Sequence, residues 1–162
     1  MQCVVVTLKL LVTLLTYDED KALSLMDDAA TVNRIVRTVP AERLRATRIG
    51  EWTAVQSLSH LVDTAEVFAE RVRRAIEEDT PTVPVIPGGR GADADADPMD
   101  LAKRLLREHQ RIVAYLQAPG MRDRALIHSE WGRVTAGHVA AYQADHSREH
   151  VGELAAAFPP AR

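Results

Sequence analysis

Four stretches of the chain repeat apolar residues at alternating three- and four-residue steps, and each is bounded by residues that suit a helix end. Ala22, Leu25, Ala29, Val32, Val36 and Val39 form the first stripe, which Pro40 closes. Thr16-Tyr17-Asp18-Glu19 reads as its capping box, the Thr hydroxyl and the Glu carboxylate each satisfying a backbone N–H. Val55, Leu58, Val62, Ala65, Ala69, Val72 and Ile76 form the second, behind another box at Thr53 and Gln56. Leu101, Leu105, His109, Ile112 and Leu116 form the third; Asp97 caps it, Pro98 sits in its first turn and Pro119-Gly120 stops it. The fourth is expected from a Thr135 cap to Phe158. Helices with a single apolar stripe bury it against one another. The expected fold class is therefore all-α, a four-helix bundle.

The connections between these helices are uneven. Residues 79–98 hold four prolines and three glycines and cannot form a long helix. A stretch of that length can run the full height of a bundle roughly 30 Å tall, so helices 2 and 3 are expected to lie parallel. The predicted arrangement is up-down-down-up, with this long crossover as a solvated linker. Its Asp93, Asp95 and Asp97 alternate as in a calcium loop. Pro98 stands where such a loop needs glycine, however, and Arg104 where it needs a bidentate Glu, so no calcium site is expected. The bundle domain is expected over residues 16–158.

Ahead of it, residues 1–15 are apolar apart from Thr, Gln and Lys side chains. They are too few for a transmembrane helix, and no basic residue precedes the apolar part as in a secretory leader. Period-two and helical spacings both fit this segment. Packing on its own domain and serving as the arm of a homodimer are its two expected roles. A cytoplasmic location with no membrane partner is expected. A net charge of −3 argues against a nucleic-acid partner, and aromatic residues at 4% argue against base-stacking platforms. The single cysteine, Cys3, leaves no intramolecular disulfide or cysteine-based zinc site.

Chemistry is thus expected from the six histidines. His146 and His150 are four residues apart on the fourth helix, so both rings project from one face. That face is the apolar one, shared with Val139, Gln143, Leu154 and Ala157. Imidazoles turned into a bundle need partners for their nitrogens, and a divalent metal serves both. Ser147-Arg148-Glu149 between them excludes the HExxH protease pattern. His60 lies about 80° off the edge of its helix's apolar stripe, beside Thr64 and Val67, which suits a cleft between helices. His109, central on its stripe, suits a core position, with a place beside a metal as the alternative. His128 and His138 are expected at the surface. Asp63 and Glu66 are expected to be solvated charges or carboxylates supporting a ligand.

Trp52-Thr53-x-x-Gln56 followed by His60-Leu61-x-Asp63-x-x-Glu66 resembles the second helix of DinB/YfiT-like proteins. Gly132-x-x-Thr135, leading into Asp145-His146-Ser147-Arg148-Glu149-His150-Val151, is similar to the C-terminal pattern of that family, and Pro40-Ala41-Glu42 matches its Pro-x-Glu step. The resemblance covers about residues 18–158. It implies a four-helix bundle with a crossover between helices 2 and 3, and one divalent metal on His60, His146 and His150. Zinc or nickel is the expected ion, with iron or manganese as alternatives. The family commonly carries Gln shortly after the last histidine; this chain has Glu153.

Three neutral imidazoles with an open position describe a catalytic rather than a structural zinc-type site. One expected function is hydrolysis of a small-molecule substrate by metal-bound hydroxide. The resemblance also suggests S-transfer from a low-molecular-weight thiol such as bacillithiol or mycothiol. A non-catalytic stress-response or binding protein stabilised by its metal is the reading from another class. No catalytic acid or base is assigned.

Overall fold

The computed structural model describes residues 12–86 and 92–162, so most of the apolar segment over 1–15, with its strand-or-helix question, lies outside the described residues. The described elements are α1 (Glu19–Thr38), α2 (Ala41–Ala46), β1 (Arg48–Ile49), β2 (Trp52–Thr53), α3 (Ala54–Glu77), β3 (Thr82–Val83), α4 (Pro98–Tyr115), a 3-10 turn (Met121–Asp123), β4 (Ala125–His128), β5 (Gly132–Thr135) and α5 (Ala136–Ala157). The four long helices form the bundle; α1 and α3 each pack against both α4 and α5.

Cross-helix contacts give the helix directions. Lys21 meets Asp145, Ser24 meets Arg148 and Arg34 meets the Phe158 carbonyl, so α1 and α5 rise together. Ser59 meets Asp93, Asp63 and Glu66 meet Arg104, and Glu66 also meets Arg107, so α3 and α4 run the same way. Thr64 faces His146 and Phe68 faces Tyr142, so α3 and α5 are antiparallel.

The core has two apolar halves. Leu25, Phe68, Val72, Ile112, Leu116 and Val139 belong to one, and Val32, Leu61, Leu105, Val151 and Leu154 to the other. Between them along each contributing helix fall Asp28, His109, Gln143 and Ser147, all fully buried. Buried polar groups cost stability unless partnered. Ser147 Oγ donates to Asp28 Oδ2 at 2.9 Å, and His109 bridges the Leu25 carbonyl and Gln143.

Helix ends follow the sequence closely, with one shift. Asp97 and Thr135 cap α4 and α5. At α1 the cap is Asp18, whose Oδ1 accepts the Lys21 N–H at 3.0 Å; Thr16 stays outside the helix. Tyr17 explains the shift. Its side chain is buried in the core and its carbonyl accepts from Arg122, which holds the chain extended up to Asp18. Thr53 and Gln56 form the full reciprocal box at α3, at 3.2 and 3.0 Å. Thr53→Ala should cost about 1 kcal/mol, read as a lowered urea midpoint with unchanged slope.

Two segments differ from expectation. The crossover is not wholly solvated: Thr82–Val83 pairs in parallel with β4, and Val83 is buried. The stretch before the fourth helix, which carries no helical stripe, is a hairpin, β4 against β5, with Leu126 opposite Val134 and Gly132 at a φ of +74°. The alternation of Leu126 and His128 inward, with Ala125 and Ile127 less buried, is the period-two signal of that strand. Val83, Leu126 and Val134 of the small sheet pack into the core half that holds Phe68 and Val139, and His128 and Trp131 share a cleft with Phe68 of α3 and Tyr142 of α5.

Candidate metal centre

His60 projects from α3, and His146 and His150 project from α5, which runs antiparallel beside it. Their rings form a close triangle. Centroids are 5.4 Å apart for His60 and His146, 5.2 Å for His60 and His150, and 4.6 Å for His146 and His150. Each ring offers a nitrogen such that all three atoms lie within 4.8 Å of one another. The Nε2 atoms of His146 and His150 are 3.1 Å apart. Two nitrogens on one tetrahedral ion at bonds of ~2.1 Å are about 3.4 Å apart, so this pair already has the span of a coordination edge. Among the described residues, no other group of His, Cys, Asp and Glu side chains converges this way.

The surroundings set the proton positions. The Thr64 hydroxyl donates to the Leu61 carbonyl at 2.9 Å, one turn back on α3. Its lone pairs are left facing His146 Nδ1, at 3.5 Å. An acceptor there favours the proton on Nδ1 and the lone pair on Nε2. On the next turn, His150 Nδ1 is buried without a hydrogen-bond partner, with Glu153 Oε2 3.8 Å away. That carboxylate favours the same tautomer. Both Nε2 lone pairs then point at one space. A proton shared between them is disfavoured near neutrality, because burial, followed by the neighbouring rings, holds His146 down to about 4, and burial lowers His150 as well. A divalent cation placed there would satisfy both lone pairs.

The third ring is fixed from the other side. Trp52, on β2, lies 4.7 Å from His60 at a tilt of 52°. β2 pairs with β1 and runs directly into the Thr53 cap of α3, so the local turn that starts the helix also supplies the wall behind its histidine.

A family model for the DinB superfamily matches residues 26–154, a span that includes all three histidines. The chain belongs to the DinB superfamily. A solved structure of YfiT from Bacillus subtilis, described as a probable metal-dependent hydrolase with an unusual four-helix bundle topology, superposes with a TM-score of 0.67 at 21% identity, covering 88% of each chain. At that identity the likeness shows the fold. No curated protein matches the chain.

The remaining histidines of this DinB bundle are accounted for by packing. His109 is a core residue: Nδ1 lies 2.7 Å from the Leu25 carbonyl, Nε2 lies 3.3 Å from Gln143, and burial lowers it to about 4. His128 and His138 are not at the surface, contrary to expectation; both are buried. His128 stacks on Trp131 at 4.1 Å, and its Nδ1 accepts the N–H groups of Glu130 and Trp131. His138 Nδ1 accepts the Leu15 N–H at 2.8 Å, covered by the chain segment that precedes α1. Asp63 and Glu66 do not turn to the histidines; both pair with Arg104 across the α3–α4 interface.

Beside the three rings of this DinB centre lies a cleft of about 260 Å³. His60 and His146 form part of its floor, and Phe68, Arg71, Trp131 and Tyr142 line it further out. Sequence reasoning passed over these four. A signal existed for three of them: Phe68 and Arg71 continue the His60 face of α3 at helical steps, and Tyr142 precedes His146 by four residues on α5. Among the described residues, no helix is long and apolar enough to cross a membrane.

Proposed function

We propose that His60, His146 and His150 hold one divalent cation, and that the protein is a hydrolase of a small-molecule ester or amide working at that site. The observation that carries this reading is the convergence of the His146 and His150 Nε2 atoms at 3.1 Å with a third imidazole against them. Such a cation, with only neutral ligands, supplies Lewis acidity and lowers the pKa of a water toward ~7. The chain's own residues do the positioning. Thr64 and Glu153 orient His146 and His150, Trp52 backs His60, and the hairpin residue Trp131 narrows the way in from solvent. Glu153, 3.8 Å from His150 Nδ1, is suited to hold the proton there.

A second reading, transfer of a low-molecular-weight thiol, is favoured by space. A groove of about 410 Å³ adjoins the cleft, sharing Arg71, Val85 and Ile86, and leaves room for a second molecule. One experiment separates the two. Metal-free protein is reloaded with zinc, nickel, iron or manganese and assayed on ester and amide panels without thiol, and on monochlorobimane with bacillithiol or mycothiol. Metal-dependent turnover without thiol is the expected result. Turnover only with a thiol overturns the hydrolase in favour of the transferase. Metal uptake that raises the melting temperature with no turnover in either arm overturns both.

A further inference from the structure

Arg71 is only 4% exposed. Its guanidinium donates to the Pro84 carbonyl and lies 5.4 Å over the Phe68 ring, and no carboxylate partners it among the described residues. The residues outside that range contain no Asp or Glu. Other arginines behave differently: Arg73 pairs with Glu70 and Glu77, Arg74 with Glu78, and Arg104 with Asp63, Glu66 and Asp100. A buried cation without a counter-charge is costly unless something supplies one. Burial accordingly lowers the pKa of Arg71.

The cleft that Arg71 lines also contains His60 and His146, so one molecule can reach both. Aromatic rings line the rest of it: Tyr142 lies 4.9 Å from Trp131 and 5.4 Å from Phe68. We propose that this cleft binds a small carboxylate with an aromatic or apolar body, the carboxylate pairing with Arg71 and the body lying against Trp131 and Tyr142. Guanidinium and carboxylate match as a two-bond fork, and flat rings bury well on indole and phenol faces. A phosphate monoester fits less well, since the exposed Glu130 at the mouth opposes a dianion more strongly than a monoanion. As substrate chemistry this rests on the proposed hydrolase; as a binding site it does not.

The test therefore uses metal-free protein in EDTA, titrated by calorimetry with phenylacetate, its neutral amide phenylacetamide, and phenyl phosphate. Phenylacetate should bind at least about tenfold more tightly than the amide. Arg71→Gln should erase that preference, Arg71→Lys should keep part of it, and Trp131→Leu should weaken both ligands while leaving their ratio unchanged. Circular dichroism establishes that each variant is folded. If Arg71→Gln does not fold, the wild-type ratio together with Arg71→Lys decides. Equal affinity for acid and amide, an unchanged preference in folded Arg71→Gln, tighter binding of phenyl phosphate, or no saturable binding each overturns the proposal. Zinc uptake by the same variants, freed of EDTA, is read by equilibrium dialysis. Its absence overturns the metal site and leaves the carboxylate preference to stand or fall by itself.

Discussion

His146→Ala should abolish stoichiometric uptake of a divalent cation in equilibrium dialysis, lowering affinity at least ~100-fold. The magnitude follows from comparison. Removing a residue that merely orients a metal-binding histidine costs 10- to 100-fold, and here a donor atom itself is lost. Stability gives a second measurement. A cation present at 100 times its dissociation constant stabilises the folded chain by about 2.7 kcal/mol, worth roughly 5–10 °C in melting temperature for a domain this size. That rise should be present in the wild type and absent in His146→Ala. Without metal the two should melt within a few degrees, because the substitution also removes the close approach of two lone pairs at 3.1 Å. A variant that keeps full affinity, or a wild type that takes up no metal, sinks the site.

The second large effect is acid sensitivity of the metal-free protein. His109 is fully buried and held to about 4 by burial, against an ordinary value of 6.5. A group depressed in this way favours the folded state above pH 6.5, and that stability is lost as the pH falls through 4. The gap corresponds to roughly 3 kcal/mol from this residue alone. His146, also about 4, acts in the same direction. Asp28 acts in the opposite one. Burial raises it from 3.8 to about 6, so its contribution is present below pH 3.8 and is lost as the pH rises through 6. Urea titrations between pH 7 and 4 should therefore show falling stability. His109→Gln should flatten that slope and Asp28→Asn should steepen it, since the acid's offset is then gone. A wild type equally stable across the range contradicts the account.

How much of this was legible beforehand depended on the kind of signal. The stripes on the four long helices, the Thr53 and Asp97 caps and the Thr135 start are local patterns, and the structure reproduces them. The His146 and His150 pair follows from helical pitch alone. His60 stood off its stripe because it belongs to a cleft and not to the core, so periodicity could describe its position but not its partners. The errors share a cause. Tyr17 moved the first cap by packing into the core, and His138 lost its solvent to the segment at Leu15, a contact spanning 123 positions. The β4–β5 hairpin is short and sits among helices, so its alternation was outweighed by helical signals on both sides. Long-range burial of this sort leaves little mark in a local window.

The antiparallel α3–α5 contact has a consequence for how the protein matures. Thr64 and His146, which face one another at the histidine triangle, are 82 positions apart along the chain. A nascent polypeptide cannot assemble that triangle from neighbouring segments; the last helix must dock on one synthesised much earlier. A cation captured there would act as a late-closing latch between α3 and α5, so uptake of the ion should report completed assembly and not an early nucleus.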